Sequence, residues 1–336
     1  MVNYVSDRQF YALQLQVFKS RAAALSLGTK RNIQSQLRAY LLFTTYFQLE
    51  PFPVTFKNLT VYIQLLANSF KAPTSILNYL SGLRTVHKML DLEFPELSSF
   101  FIKLQLRGIT KDLAHLPHQA APVSPEILTQ CYHLLNLADP QKASAWACFL
   151  IAFFSFSRLG NLLPVSQKQF DPKIHLTRQD IFVAADGILI LIKWTKTIQD
   201  GSRYLLLPLV AIPEHNLCPL QAVKHMLKLS PAPGDAPAFS YRNGPVLHTL
   251  THSQLVELFR VLLQTLGLEA SLYSGHSFRR AGASFAFQAG VRSELIQAQG
   301  DWKSLSYLQY LSFTPQQKQM VSAQMAQAIQ LGVQHT

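Results

Sequence analysis

Five short segments in the second half of the chain carry side chains suited to handling one phosphodiester. They are SFSRLGNLLP around Arg158, WTKT around Lys196, GHSFRRAG with His276 and Arg279, GDW with Trp302, and SYLQYL with Tyr310. Attack on such a linkage gathers negative charge on its non-bridging oxygens. Two guanidinium groups, Arg158 and Arg279, can meet that charge with forked, charge-assisted hydrogen bonds. His276 stands three residues before Arg279, so on a helix the two share a face and can converge on one phosphate. Its imidazole suits proton transfer or a hydrogen bond to the phosphate. Trp302 offers one indole N–H and a large apolar body, so it can donate to a phosphate oxygen while buttressing the site. A flexible ammonium can protonate a departing 5′ oxygen, and both Lys196 and Lys193 are in position in the sequence to supply it. A phenol can form a covalent phosphotyrosyl link, which stores the energy of the broken bond and permits religation without ATP, metal or cofactor. Tyr307 and Tyr310 both offer one.

Taken singly, each segment has a plain explanation. An arginine after an apolar helix can be a surface cap, an H-x-x-R pair can be a core histidine beside a helical ion pair, and a hairpin lysine can solvate a sheet edge. A Y-x-x-Y pair on an amphipathic helix is ordinarily core. The weight rests on the chain order of all five and on the eight residues from Trp302 to Tyr310.

In that order and spacing the sequence resembles the tyrosine recombinase and integrase family. Its catalytic domains present Arg, a hairpin Lys, H-x-x-R, His or Trp, and then a Tyr eight or nine residues on. The segments GHSFRRAGASFAF, GDWKSLSYLQYL and FSRLGNLLP are most similar to eukaryotic mobile-element enzymes of the DIRS, Ngaro and Crypton type. The resemblance selects Tyr310 as nucleophile and Lys196 as the amine, with Arg158, His276, Arg279 and Trp302 completing the site. It implies a two-domain clamp on double-stranded DNA, a dimer on one site and a tetramer on two, cutting through a 3′-phosphotyrosyl intermediate. One departure stands out: many relatives carry an acid three residues after the first Arg, where this chain has Asn161.

The elements that must hold these residues are legible in the hydrophobic pattern. From Asp7 to Lys111 apolar residues recur at three- and four-residue steps, which predicts an all-helical domain over 1–112, with Thr29 and Thr74 as helix starts and Pro51 and Pro53 as breaks. Residues 113–124 lose that periodicity and read as a linker. A second domain over 125–336 opens with helices at Pro125–Asn136 and Lys142–Ser157. Short strands follow at Asp180–Val183, Gly187–Trp194 and Arg203–Pro208, with TKTIQDGS as a hairpin loop. Helices return at Leu217–Leu229, Thr251–Leu266, His276–Ala289, Ser293–Gln299 and Ser304–Phe313. A last helix from Gln316 to about Leu331 has a stripe of Val321, Met325, Ala328 and Ile329 that could dock on its own domain or on a neighbouring protomer. The fold class is mainly α with a small β-sheet.

Charge agrees with a polyanionic partner. Thirty Lys and Arg against eighteen Asp and Glu give +12, shared between the two predicted domains and without a run that would mark a basic tail. Candidate phosphate contacts are Arg38, Lys71, Arg84, Lys88 and Arg107 in the first domain, and Arg242, Arg280 and Lys303 in the second. Cys131, Cys148 and Cys218 are too scattered for a disulfide framework or a zinc cluster, and read as reduced. The longest apolar run, Ala143–Ser157, is too short to span a bilayer, and no secretory signal or membrane association is expected. Nuclear residence follows, or cytoplasmic in a prokaryote. Other readings are a type IB topoisomerase-like enzyme, a non-catalytic DNA-binding protein derived from a captured recombinase, and a basic helical interaction module.

Overall fold

The computed structural model describes residues 3–114, 119–195, 198, 203–311 and 315–330. Contacts divide the chain into two units, one ending at residue 118 and the other beginning at 119.

The first unit is helical: α1 (Asn3–Ala23), α2 (Leu27–Tyr46), α3 (Phe56–Ser69), α4 (Pro73–Met89) and α5 (Phe100–Leu113). Its core joins Tyr40, Tyr62, Ile63, Ile76, Leu80, Leu83 and Ile102, residues spaced to fall on the inner faces of α2 to α5. Two helix starts differ from the sequence expectation. Ser26, not Thr29, caps α2, because its side-chain oxygen accepts the Thr29 N–H at 3.2 Å. Helix α4 begins at Pro73 rather than after Thr74, since the fixed φ of proline suits the first helical position.

In the second unit, Ala121 and Val123 donate backbone hydrogen bonds to the carbonyls of Leu272 and Ser277, so the chain is already packed there before its first helix. That helix is α6 (Pro125–Leu134), followed by α7 (Pro140–Phe154) and the single turn α8 (Leu159–Leu162). Asp139 caps α7 through the N–H groups of Gln141 and Lys142, and every residue from Ala143 to Phe153 is buried. Strands β1 (Ile181–Val183), β2 (Gly187–Ile192) and β3 (Leu205–Val210) form an antiparallel sheet in the order β1-β2-β3, whose buried residues share one core with α7. The predicted strand from Asp180 starts later, because Arg178–Asp180 form a 3-10 turn in which Asp180 closes a capping box on Thr177. Strand β2 stops two residues before Trp194, and β3 is displaced to Leu205–Val210, where Pro208 lies on an edge strand that can spare its N–H.

Next come α9 (Pro219–Leu229), the hairpin of β4 (Ser240–Asn243) and β5 (Val246–Thr249), α10 (His252–Thr265), α11 (His276–Gln288) and α12 (Ser293–Gln299). The β4–β5 hairpin is absent from the sequence expectation; Gly244, at φ +58°, makes its turn. The helix expected over Ser304–Phe313 is instead a 3-10 helix over Leu305–Tyr310. The last helix, α13 (Pro315–Gln330), has exposed side chains wherever they are described, including Met325 and Ile329. No described helix is long and apolar enough to cross a membrane.

Candidate active site

The site is assembled where α7 ends. Ser155 closes the helix, its hydroxyl bonding back to the Ile151 carbonyl at 2.6 Å and to Ser157 Oγ at 2.7 Å. Phe156 then turns the chain at φ +50°, and Arg158 stands immediately before α8. Helix α11 approaches this turn closely because Gly282 has no side chain: a Cβ there would lie 2.0 Å from the Phe153 carbonyl oxygen. One helical turn earlier on α11, Arg279 therefore meets the carbonyl end of α7, the end whose dipole favours a cation.

Arg279 is 2% exposed. Its Nη1 donates to the Phe156 carbonyl and its Nη2 to the Gly300 carbonyl at 2.8 Å. Its Cζ lies 3.8 Å from the centre of the Trp302 ring. Burial, with the field of Arg158 behind it, lowers its pKa to about 10, while Tyr310 and Asp301 favour the charged form, Tyr310 in part through a side-chain hydrogen bond. The guanidinium stays charged at neutral pH. Two of its five N–H donors are taken by backbone, so the group is aimed without being neutralised.

Arg158 borders two adjoining hollows. The narrower, with room for one water, is lined by Ser157, Arg158, Asn161, Thr195, Arg279 and Asp301, among others. The wider, about 460 Å³, lies between Arg158, Asn161, Trp194, His252 and His276. His276 occupies the first turn of α11 on the exposed rim of this hollow. Partial burial, then Arg158, Arg279 and His252, lower its pKa, and burial does the same for His252. Both imidazoles are thereby held neutral at pH 7.

Trp302, 7% exposed, forms the floor beneath Arg279 and packs on Phe156, Tyr307 and Tyr310. Gly300 makes room for it: a Cβ at that position would come 1.7 Å from Trp302 Cζ3. In a 3-10 helix residues three apart eclipse one another, so Tyr307 and Tyr310 both face the indole, at ring-centre distances of 6.0 and 5.8 Å. Their burial separates them: Tyr307 is 4% exposed and belongs to the core, while Tyr310 is only partly covered and interacts with Arg279. Ser284 Oγ donates to the Tyr310 carbonyl and fixes the backbone there.

Lys193 is otherwise engaged, its ammonium 2.6 Å from both Asp180 Oδ2 and the Pro172 carbonyl. Lys196 lies outside the described residues; Thr195, its neighbour in the chain, is buried and lines the narrower hollow. Of the expected phosphate contacts, Arg38, Lys71, Arg84, Lys88 and Arg107 are exposed on the first unit, with Arg84 and Lys88 one turn apart on α4, and Lys303 is exposed on the second. Arg242 is folded onto its own hairpin, donating to the Pro231 and Pro245 carbonyls, and Arg280 donates to the Ala120 carbonyl. Among the polar residues of the site absent from the sequence reading are His252 and Asp301. His252 follows a capping Thr251 at the start of α10 and carries no motif, whereas Asp301, an acid inside a basic constellation, was visible within GDW.

No family model and no curated protein matches the sequence. Solved structures do match. The Tn1549 transposon integrase in complex with circular intermediate DNA is similar with a TM-score of 0.58 at 14% identity, over 94% of this chain and 98% of that one. A lambda integrase dimer bound to a COC′ core site gives 0.55 at 12%, over 91% and 95%. The XerH site-specific recombinase bound to difH substrate in a pre-cleavage complex gives 0.52 at 17%, over 80% and 71%. The chain thus has the fold of the tyrosine recombinases and integrases, mainly helical with a small antiparallel sheet.

Proposed function

We propose that the chain is a site-specific DNA recombinase of a mobile element, cleaving and rejoining double-stranded DNA through a 3′-phosphotyrosyl intermediate on Tyr310. The observation that carries this reading is the partly covered Tyr310 phenol set against Arg279, whose guanidinium shares a hollow with Arg158. A phosphodiester seated in the wider hollow, against the mouth of the narrower one, presents its non-bridging oxygens to both cations. The phenol oxygen attacks phosphorus and passes its proton to neutral His276 or to solvent; the bond to the 5′ oxygen breaks, and Lys196 protonates the departing oxygen. His276, neutral in the resting site, moves a proton or hydrogen-bonds the phosphate. Trp302 holds Arg279 and Tyr310 in register. Attack by the freed 5′ hydroxyl reverses the sequence and restores the phenol. The exposed cations of the first unit serve as phosphate contacts, and α13, with Met325 and Ile329 exposed, joins protomers into a dimer on one site and a tetramer on two.

The test uses nicked suicide duplexes tiled across the DNA that flanks the gene for this chain, followed by denaturing electrophoresis. The expected result is a protein–DNA adduct that disappears in Tyr310→Phe and persists in Tyr307→Phe. An adduct that survives Tyr310→Phe, or none with any duplex, sinks the proposal. Relaxation of a supercoiled plasmid lacking those sequences would favour the topoisomerase-like alternative.

A further inference from the structure

We infer that Asp301 is a positioning residue that ties both roots of the β2–β3 hairpin to the segment carrying Trp302 and Tyr310; this rests on the cleavage reading above. Among the described residues, its carboxylate makes contacts at two points distant in sequence. Oδ1 pairs with Arg203, two residues before β3, and Oδ2 accepts from Thr195 Oγ1 at 3.4 Å, three residues after β2. The same side chain lines the narrower hollow and favours the charge on Arg279. One acid therefore touches the two ends between which Lys196 lies in the chain, and lies next to the tryptophan on which Arg279 rests. The backbone supports the placement: Asp301 sits at φ +52°, directly after the Gly300 carbonyl that holds Arg279. An acid in a pocket built to bind phosphate would ordinarily repel the substrate. Here its charge is matched by Arg203, so it can organise cations without facing the anion.

Removing that link lets the hairpin and the tyrosine segment drift relative to each other, which slows chemistry without weakening DNA binding. The variants are Asp301→Asn and Arg203→Gln, singly and together; the Arg203 side chain is 42% exposed, so its variant leaves the core intact. Single-turnover adduct formation is measured on the reactive suicide duplex at saturating protein, and affinity for the same duplex by gel shift. Each single variant should cleave at least tenfold more slowly with affinity within about threefold, and the double should be no slower than the worse single, because both cut one tether. Wild-type cleavage by Arg203→Gln, or losses that multiply in the double, would overturn the inference. If wild-type protein forms no adduct, the cleavage reading itself has failed. Hydrogen exchange of β3 then decides the tether alone: faster exchange at Leu205–Leu207 in both variants supports it, and unchanged exchange removes it.

Discussion

Replacing Gly300 by alanine should disable the site through one methyl group. The backbone at this position, φ −85° and ψ 0°, is open to any residue, so the penalty is steric rather than conformational. The added carbon would lie 1.7, 2.1 and 2.4 Å from Cζ3, Cε3 and Cη2 of Trp302, and the indole has to move by more than an ångström. Arg279 then loses its stacking on the ring, about 1–2 kcal/mol for a desolvated pair. Its bond to the Gly300 carbonyl weakens as well, at about 1.5 kcal/mol for a charged donor. The sum is about 3 kcal/mol, or a fall in Tm of about 6–12 °C for a unit of this size. Misplacement of Arg279 and Tyr310 by about an ångström should slow adduct formation about a hundredfold. Calorimetry and single-turnover cleavage read the two effects. A companion variant fixes the cause: all three clashing atoms belong to the six-membered ring of the indole, which Trp302→His removes, so Gly300→Ala in that background should cost less than about 1 kcal/mol. If Gly300→Ala melts within about a degree of wild type and cleaves normally, the indole does not seat Arg279 as described.

Three further outcomes follow from the same geometry. His276 and His252 have folded pKa values below the ordinary histidine range, so the unfolded chain binds more protons as pH falls from about 6.5 toward the folded values. Stability should drop across that window, and the drop should shrink in the His252→Asn, His276→Asn double variant, as followed by urea unfolding at pH 7.5 and 5.5. Lys193→Met leaves the Asp180 carboxylate buried, with Thr177 as its remaining partner, and should cost about 3 kcal/mol in the same assay, most of it recovered by adding Asp180→Asn. Removing the residues after Pro315 should abolish tetramers in sedimentation while leaving the gel-shift affinity of the protomer for DNA unchanged. Retained tetramers would rule out a role for α13 in assembly.

Legibility in the sequence followed the strength of the local signal. Helix α7 could be read because its run of apolar residues is continuous and buried on every side, and α10 because Thr251 and Gln254 form a capping box ahead of a periodic stretch. Strand β2 was visible as GILILI. The four-residue strands β4 and β5 carry too little alternation to register, and only the Gly244-Pro245 turn between them betrays them. Tyr307 and Tyr310 were rightly seen as three apart, but the spacing alone gave no sign that the segment winds as a 3-10 helix and eclipses them. The five motif segments pointed to side chains. The groups that aim those side chains were hidden, because they are backbone: the Phe156 and Gly300 carbonyls on Arg279, and the missing side chains of Gly282 and Gly300. Sequence shows which groups a protein owns more readily than which carbonyls are left over when its helices end.

Helix α7 is the most deeply buried helix of the second unit. Its eleven consecutive buried residues, from Ala143 to Phe153, make it the stretch whose amides should exchange last, and the turn holding Arg158 is its direct continuation. Tyr310 hangs instead on six residues of 3-10 helix, pinned by Tyr307, Leu311, the Trp302 ring and the Ser284 hydroxyl. The guanidinium of Arg158 is thus anchored in bedrock, and the phenol of Tyr310 rides on a light arm. On the reading proposed above, a perturbation confined to Leu305–Tyr310 should displace the phenol first and leave the turn that holds Arg158 standing.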